Sequence, residues 1–175
     1  MKIAIIGATG TVGAAVLKEA LDRNHEVTAI ARDLSQLENK KERLELEVTD
    51  VNDTEKLAKV LKDQEVVISA FNSGWTNPNI YEDYLQGSRS IQEAVKSAGV
   101  KRLIVVGGAG SLFVDKNTQL VDTPQFPKEI LGGATAARDY LKELKAEQEI
   151  DWTFFSPAPP GICARRSCMD PMDFS

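Results

Sequence analysis

The stretch Met1-Lys-Ile-Ala-Ile-Ile-Gly-Ala-Thr-Gly-Thr-Val-Gly13 decides the fold of this chain. Its residues 3–6 form an unbroken apolar run, which is typical of a strand buried on both faces of a parallel sheet. Three glycines follow at once, and apolar side chains then recur at helical spacing up to residue 21. A strand, a glycine turn and a helix in this order present unpaired N–H groups and a positive dipole end, which together bind anions.

The glycines have the spacing G-x-x-G-x-x-G, which differs from the commoner G-x-G-x-x-G of dinucleotide-binding proteins. We expect Gly7 to allow the tight turn out of the strand, Gly10 to let a pyrophosphate approach the backbone, and Gly13 to let the helix pack closely on the strand. A glycine-rich turn without a ligand is the alternative. The position directly after a buried strand favours a ligand site.

Strand-like and helix-like segments alternate along the rest of the chain. This alternation predicts an α/β Rossmann fold, a doubly wound parallel sheet with helices on both faces. The expected strands are 3–6, 26–31, 44–48, 66–70, 102–106 and 152–155. The expected helices are 11–23, a short turn at 33–38, a helix capped by Asp53 that runs to 62, and 80–98. A last helix is expected to open at Pro127, to be interrupted at Gly132-Gly133 and to resume over 134–148, after a long loop at 107–126.

Composition is that of a soluble globular domain, with 42% hydrophobic and 27% charged residues in 175. A net charge of -5 argues against nucleic-acid binding, and no apolar run is long enough to span a membrane. We expect no signal peptide and a cytoplasmic location. Cys163 and Cys168 form an isolated C-x4-C pair far from His25, so we expect reduced cysteines and no metal site.

Ligands of doubly wound sheets bind beyond the carboxyl ends of the strands, so the predicted strand ends define one rim. The residues that we expect to bind a cofactor on this rim are Gly7, Thr9, Gly10, Thr11, Val12, Gly13, Arg32, Asp50, Ala70, Phe71, Gly107, Gly108, Ser156 and Pro157.

Arg32, at the end of the second predicted strand, indicates which cofactor binds. An acid at this position would accept hydrogen bonds from a ribose and repel a 2′-phosphate, whereas an arginine pairs with that phosphate. The sequence therefore favours NADP(H) over NAD(H). A surface arginine without a ligand is the alternative, and Asp33 next to it weakens the argument. Asp50 could accept from the adenine amino group, or it is only a polar strand terminus.

With these segments placed, the chain resembles the atypical short-chain dehydrogenase/reductase superfamily. Within it, the chain is most similar to the NmrA-like NAD(P)-binding group, which includes NADH-flavin reductases and relatives of biliverdin/flavin reductase. The resemblance covers residues 1–158 and is carried by 5–13, 28–32, 48–51, 99–112 and 151–158. It implies a Rossmann fold, NADP(H) at the first glycine loop, and reduction of flavins, quinones or related acceptors.

The sequence departs from ordinary short-chain dehydrogenases in lacking their Tyr-x-x-x-Lys pair, in which a lysine lowers the pKa of the tyrosine. The fourth residue after Tyr81, Tyr84 and Tyr140 is in each case not a lysine. This argues against alcohol–ketone chemistry but agrees with direct hydride transfer between two stacked rings. The catalytic residue is unknown. Ser111 is a weak candidate, with a simple turn residue as the alternative.

The last residues, 159–175, are rich in proline and lack any periodic apolar pattern, so we expect an irregular tail. Relatives usually continue here with elements that close the substrate side, and we expect this region to be shortened. The leading prediction is an NADPH-dependent reductase of a small flavin-like or quinone-like acceptor, as a monomer or homodimer. A non-catalytic NADP-sensing regulator of the NmrA type is the alternative, and a sugar-nucleotide epimerase is a distant third.

Overall fold

The computed structural model describes residues 1–37 and 42–158. Within these residues, six parallel strands form one sheet in the order β3-β2-β1-β4-β5-β6. The strands are β1 (Lys2–Ile6), β2 (Glu26–Ala31), β3 (Leu44–Val48), β4 (Val66–Ser69), β5 (Arg102–Val106) and β6 (Asp151–Phe155). The helices are α1 (Thr11–Asp22), α2 (Thr54–Leu61), α3 (Ile80–Ser97) and α4 (Leu131–Leu144). Short 3-10 turns lie at Ala109–Ser111, Leu120–Asp122 and Lys128–Ile130.

Alternate residues of β1 pack on opposite faces of the sheet, because successive strand side chains point to opposite sides. Ile3 and Ile5 join the apolar cluster formed with α1, whereas Ala4 and Ile6 join a larger cluster formed with α2, α3 and α4. Helices therefore cover both faces of a parallel sheet. The predicted doubly wound Rossmann fold is confirmed.

The strand order reverses between β1 and β4, which lie side by side at the centre of the sheet. From β1 the chain winds outward to β3, and after α2 it crosses to β4 and winds outward to β6. The loops after β1 and β4 consequently leave the same edge in opposite directions. A crevice opens between them, and this is where ligands of such sheets bind.

Most predicted elements lie within one or two residues of their observed bounds. The bounds of β2, β3 and β5 agree with the prediction, and Asp53 caps α2 by accepting from the Lys56 N–H at 3.1 Å. The loop 107–126 contains two of the 3-10 turns. In its described part, the segment predicted as a helical turn at 33–38 is a turn closed by the Leu37 N–H and the Leu34 carbonyl.

The predicted interruption of the last helix at Gly132-Gly133 is wrong, and so is its extension to residue 148. Helix α4 passes through both glycines without a break and ends at Leu144. The two glycines serve packing. A Cβ on Gly132 would lie 2.9 Å from Ile80 Cγ2, and a Cβ on Gly133 would lie 2.9 Å from both Ile80 Cδ1 and Trp75 Cζ3. Side chains from outside the helix occupy the space that a larger residue would need.

The predicted tail, with Cys163 and Cys168, lies outside the described residues, and the boundary at residue 158 stays a prediction. No helix in the described parts of the chain is long and apolar enough to cross a membrane. Within residues 1–37 and 42–158, no group of three His, Cys, Asp or Glu side chains could hold a metal ion.

Candidate functional site

Gly7 and Gly13 shape the turn between β1 and α1 for reasons of packing. Gly7 has a φ of +77°, and a Cβ there would lie 2.6 Å from the carbonyl oxygen of Ala70. A Cβ on Gly13 would overlap the carbonyl group of Gly7. The turn therefore lies tightly between β4 and the first turn of α1, as the glycine spacing predicts.

Gly10 differs from the other two glycines because the described residues do not require it. It has a φ of -75°, which any residue adopts, and a Cβ there would meet only the Gly7 carbonyl oxygen at 3.4 Å. Gly10 is also the N-cap of α1, and no side chain caps this helix end. Thr11 and the 48%-exposed Val12 begin the helix. The result is open space in front of the backbone N–H groups of the first turn, as an anion site needs.

A cavity of about 570 Å³ opens along the carboxyl ends of β1, β2, β3 and β4. We call it the polar cavity. The predicted residues that line it are Gly7, Thr9, Gly10, Arg32, Asp50, Ala70 and Phe71. Further lining residues, none of them among the predicted cofactor-binding residues, include Thr49, Asn52, Asn72, Ser73, Asn77, Asp83 and Gln86. Three separate strand ends thus converge with the glycine turn on one space.

Arg32 is the cationic side chain among the described residues that line the polar cavity. Its side chain is exposed, and its guanidinium has no hydrogen-bond or ion-pair partner in the described part of the chain. The neighbouring Asp33 is held locally instead. Its Oδ1 accepts from the Ser35 N–H at 2.8 Å, and this bond lowers the pKa of the carboxyl. The positive charge of Arg32 therefore remains available to a ligand.

The other carboxylates of the polar cavity also have local partners. Asp50 Oδ1 accepts from the Asn52 N–H at 2.9 Å, and Asp83 Oδ2 accepts from Asn77 Nδ2 at 2.7 Å. Thr49 is different: it is 2% exposed, and its Oγ1 has no hydrogen-bond partner among the described residues. Buried hydroxyls are almost always hydrogen-bonded, so this one has capacity for a ligand or a water. Thr49 directly follows the third predicted strand and so falls on the predicted rim, but the sequence does not reveal that its hydroxyl lacks a partner.

A second cavity, of about 500 Å³, lies beyond the carboxyl ends of β4, β5 and β6. We call it the apolar cavity. Its lining includes the predicted residues Phe71, Gly107, Gly108 and Pro157. It also includes Trp75, Tyr84, Leu120, Phe126, Pro127 and Ile130, none of which was predicted to lie at the site. No described residue of this lining carries a charge.

The two cavities are neighbours, because Phe71 and Asn72 line both. Phe71 follows β4, at the point where the strand order reverses. Its ring stacks on that of Tyr84, with centroids 5.9 Å apart and an interplanar angle of 24°. One aromatic side chain held in this way thus lines both a polar, cation-bearing space and an uncharged one.

Some predicted residues do not line either cavity: Thr11, Val12, Gly13, Ser111 and Ser156. Ser111 is 7% exposed, and its hydroxyl donates to the Gly108 carbonyl at 2.9 Å. The hydroxyl of Ser156 lies 2.7 Å from that of Ser111. This pair links the 3-10 turn that follows β5 to the residue that follows β6. The weak catalytic candidate Ser111 thus contacts the turn that lines the apolar cavity.

The three tyrosines have no lysine as a hydrogen-bond partner within the described residues. The Tyr81 hydroxyl donates to Asp139 Oδ2 at 3.0 Å, and the Tyr140 hydroxyl donates to Gln92 Oε1 at 3.1 Å. Burial raises the pKa of Tyr84 to about 12, so this phenol keeps its proton at neutral pH. None of them is placed as an activated proton donor of the tyrosine–lysine kind.

Residues 7–160 match the NAD(P)H-binding family, and the chain belongs to this family. The expected resemblance to an NmrA-like NAD(P)-binding group is confirmed at this level, and the family indicates a nicotinamide cofactor.

The chain is 42% identical to the uncharacterized protein YwnB of Bacillus subtilis, over 90% of this chain and 72% of that protein. Among solved structures, a candidate epimerase from Bacteroides thetaiotaomicron is 43% identical, with a TM-score of 0.83 over 90% of this chain and 70% of that one. A candidate NADH-flavin reductase from Streptococcus pneumoniae is 38% identical, with a TM-score of 0.75 over 90% of this chain and 71% of that one.

Proposed function

We propose that this protein is an NADPH-dependent reductase that transfers hydride to a flavin-like or quinone-like acceptor. The observation that carries the proposal is the pair of neighbouring cavities that meet at Phe71 and Asn72. The polar cavity contains an arginine without a partner among the described residues, and no described residue that lines the apolar cavity carries a charge. A dinucleotide spanning both would have its phosphates in the first cavity and its reactive ring at the second.

The residues present fit such a cofactor. The open space at Gly10, before the uncapped end of α1, suits a pyrophosphate. Arg32 would hold a 2′-phosphate, which favours NADPH over NADH. The buried Thr49 hydroxyl supplies a further polar contact. The nicotinamide would lie near Phe71 and Gly108, since Gly108 also has open space where a Cβ would be.

A bound nicotinamide would supply the hydride, and the apolar cavity would hold the acceptor ring beside it. Phe71, fixed by its stacking on Tyr84, forms part of the wall on which a planar ring can rest. The phenol of Tyr84 stays protonated, and Ser111 positions the Gly108 turn through its carbonyl. Reduction of a flavin or quinone ring takes its proton from water, so it needs no positioned protein acid.

The names of the two solved relatives point to different chemistry. The Streptococcus pneumoniae protein is named as a candidate NADH-flavin reductase and the Bacteroides thetaiotaomicron protein as a candidate epimerase. Sugar-nucleotide epimerases of this fold use a tyrosine–lysine pair, which this sequence lacks. The uncharged second cavity also suits a planar ring better than a sugar with many hydroxyl groups. These features favour the reductase.

The test is NADPH oxidation by the purified protein with menadione or riboflavin as acceptor, measured by absorbance against the same mixture without protein. We expect oxidation that depends on both protein and acceptor. NADPH binding without turnover of either acceptor would contradict the reductase and support the NADP-sensing regulator.

A further inference from the structure

Trp75 is a large apolar side chain that remains 56% exposed while lining the apolar cavity. It lies in the loop between β4 and α3. Ile130, another lining residue, is 37% exposed. Apolar surface left open to water at a cavity is characteristic of a ligand-binding site.

One edge of the Trp75 indole rests against α4. Its Cζ3 atom occupies the place where a side chain at Gly133 would be, because a Cβ there would lie 2.9 Å away. Gly132, one residue earlier, would meet only Ile80. The glycine at 133 is therefore what lets the indole edge reach the helix backbone.

The loop that carries Trp75 is held by its own hydrogen bonds. The Gly74 N–H donates to Asn72 Oδ1 at 2.7 Å, and the Asn77 N–H donates to the Gly74 carbonyl at 3.1 Å. The Ser73 hydroxyl donates to the Ile80 carbonyl at 3.1 Å. These bonds on both sides of Trp75 hold the backbone from which the ring projects.

The rest of the cavity combines small residues with apolar ones. Gly108, Ala109, Gly110 and Ala134 are small residues of its lining, while Phe126 contributes an aromatic surface. No cation among the described lining residues could pair with a phosphate. Transfer of a phosphate dianion into such a space without a partner is strongly unfavourable.

We propose that Trp75 is the stacking wall of the acceptor site, and that the acceptor is a planar ring system without a phosphate, a quinone or riboflavin in preference to FMN. This inference rests on the proposed function and names the substrate class of the same site. Trp75 acts as a specificity-determining residue, because its exposed face can stack on a planar acceptor but not on a non-planar one.

The kinetic test compares Trp75→Ala, Gly133→Ala and Gly132→Ala. We expect Trp75→Ala to raise the KM for menadione about tenfold, the loss of one aromatic stacking contact, with the affinity for NADPH unchanged. Gly133→Ala displaces the indole edge and raises the same KM. Gly132→Ala, which meets only Ile80, is the matched control and leaves it near the wild-type value. Wild-type kcat/KM for riboflavin exceeds that for FMN by about tenfold.

A binding test needs no turnover, because the chain has two tryptophans, Trp75 and Trp152. Trp152 lies on β6 and is partly buried against the larger apolar cluster. In Trp152→Phe, which retains Trp75, menadione is expected to quench more than half of the indole fluorescence at saturation. In Trp75→Phe, which retains Trp152, the quenching is expected to be much weaker.

The outcomes separate the two proposals. Acceptor-dependent oxidation with an unchanged KM in Trp75→Ala and Gly133→Ala, or with FMN equal to riboflavin, overturns the inference and leaves the reductase. Absence of oxidation in the wild type overturns the reductase. In that case stronger quenching by menadione in Trp152→Phe than in Trp75→Phe still supports a planar-ligand site at Trp75. Equal quenching in the two variants overturns that site.

Discussion

At the scale of single residues, charge distribution gives the polar cavity its character. The carboxylates that line it accept hydrogen bonds from nearby groups, and Arg32 has no partner among the described residues. A guanidinium left in this way costs little in water, because it stays hydrated. It gains two charge-assisted bonds when a phosphate arrives.

The substitution Arg32→Gln is expected to weaken NADPH binding about ten- to hundredfold, since it removes charge-assisted hydrogen bonds to the 2′-phosphate. NADH binding should change little, because NADH has no phosphate there. Titration of both cofactors by fluorescence or calorimetry measures the effect.

Arg23→Gln is the control for general loss of positive charge. Arg23 is an exposed arginine on the far end of α1, paired with Glu19 at 2.6 Å. Equal loss of NADPH and NADH affinity in Arg32→Gln would contradict the assigned contact.

At the scale of elements, the three glycines in the turn between β1 and α1 meet two different requirements: close packing within the protein and open space for a ligand. Packing within the protein requires Gly7 and Gly13, whereas it does not require Gly10. The same reasoning explains α4, where paired glycines accept Ile80 and Trp75 without breaking the helix. A glycine pair breaks an isolated helix more readily than a packed one, because tertiary contacts offset its low helix propensity.

Gly10→Ala and Gly13→Ala should therefore fail in different ways. Gly13→Ala forces its Cβ into the Gly7 carbonyl and is expected to lower the free energy of unfolding by about 2–3 kcal/mol. Gly10→Ala has room in the protein, so we expect a loss of at most about 1 kcal/mol, from a poorer helix cap.

Cofactor binding reverses this order, because the methyl group of Gly10→Ala occupies the space proposed for the pyrophosphate. We expect NADPH affinity to fall about tenfold or more in this variant. Urea unfolding and NADPH titration of both proteins give the comparison. Wild-type affinity in Gly10→Ala would show that the phosphates bind elsewhere.

At the scale of the whole molecule, the core beneath the site contains buried phenols. Tyr84 is 4% exposed, and Tyr140 is 1% exposed in the cluster shared by α2, α3 and α4. Burial raises the pKa of both hydroxyls because it disfavours the phenolate. The fold should therefore be sensitive to alkali.

For Tyr84, the direction in which stability changes with pH follows from comparing the pKa of its phenol in the unfolded and folded states. The unfolded phenol loses its proton near pH 10, whereas the folded one keeps it until about 12. Since the unfolded state binds fewer protons in this window, stability is complete below pH 10 and falls as the pH rises toward 12. Between these two pKa values, Tyr84 lowers the free energy of unfolding by about 1.4 kcal/mol per pH unit.

Urea unfolding of the wild type and of Tyr84→Phe at pH 8 to 11 measures this effect. The variant lacks the ionisable group, so its stability should decline less steeply above pH 10. Parallel curves for the two proteins would show that the Tyr84 hydroxyl is not protected by burial.

The amino-acid sequence determined the parallel sheet, the glycine turn at its centre and Arg32 at its rim. The apolar run of each strand and the glycine after β1 act locally, within one strand and the turn that follows it, and Arg32 directly follows the apolar run of β2. Strand ends of a parallel sheet must share one edge, so the rim could be inferred without knowing any contact.

Only the tertiary structure decided the apolar cavity, the lack of a partner for Arg32 among the described residues, and the contact of Trp75 with Gly133. These join residues from separate loops and helices, and loop residues follow no periodic pattern that a sequence reveals. Gly132-Gly133 is the clearest case. In the sequence this pair predicts a break in the helix. In the fold the helix is continuous, and side chains from another loop and helix pack against the two glycines. Its meaning depends on what packs against it, and that is set by the whole fold.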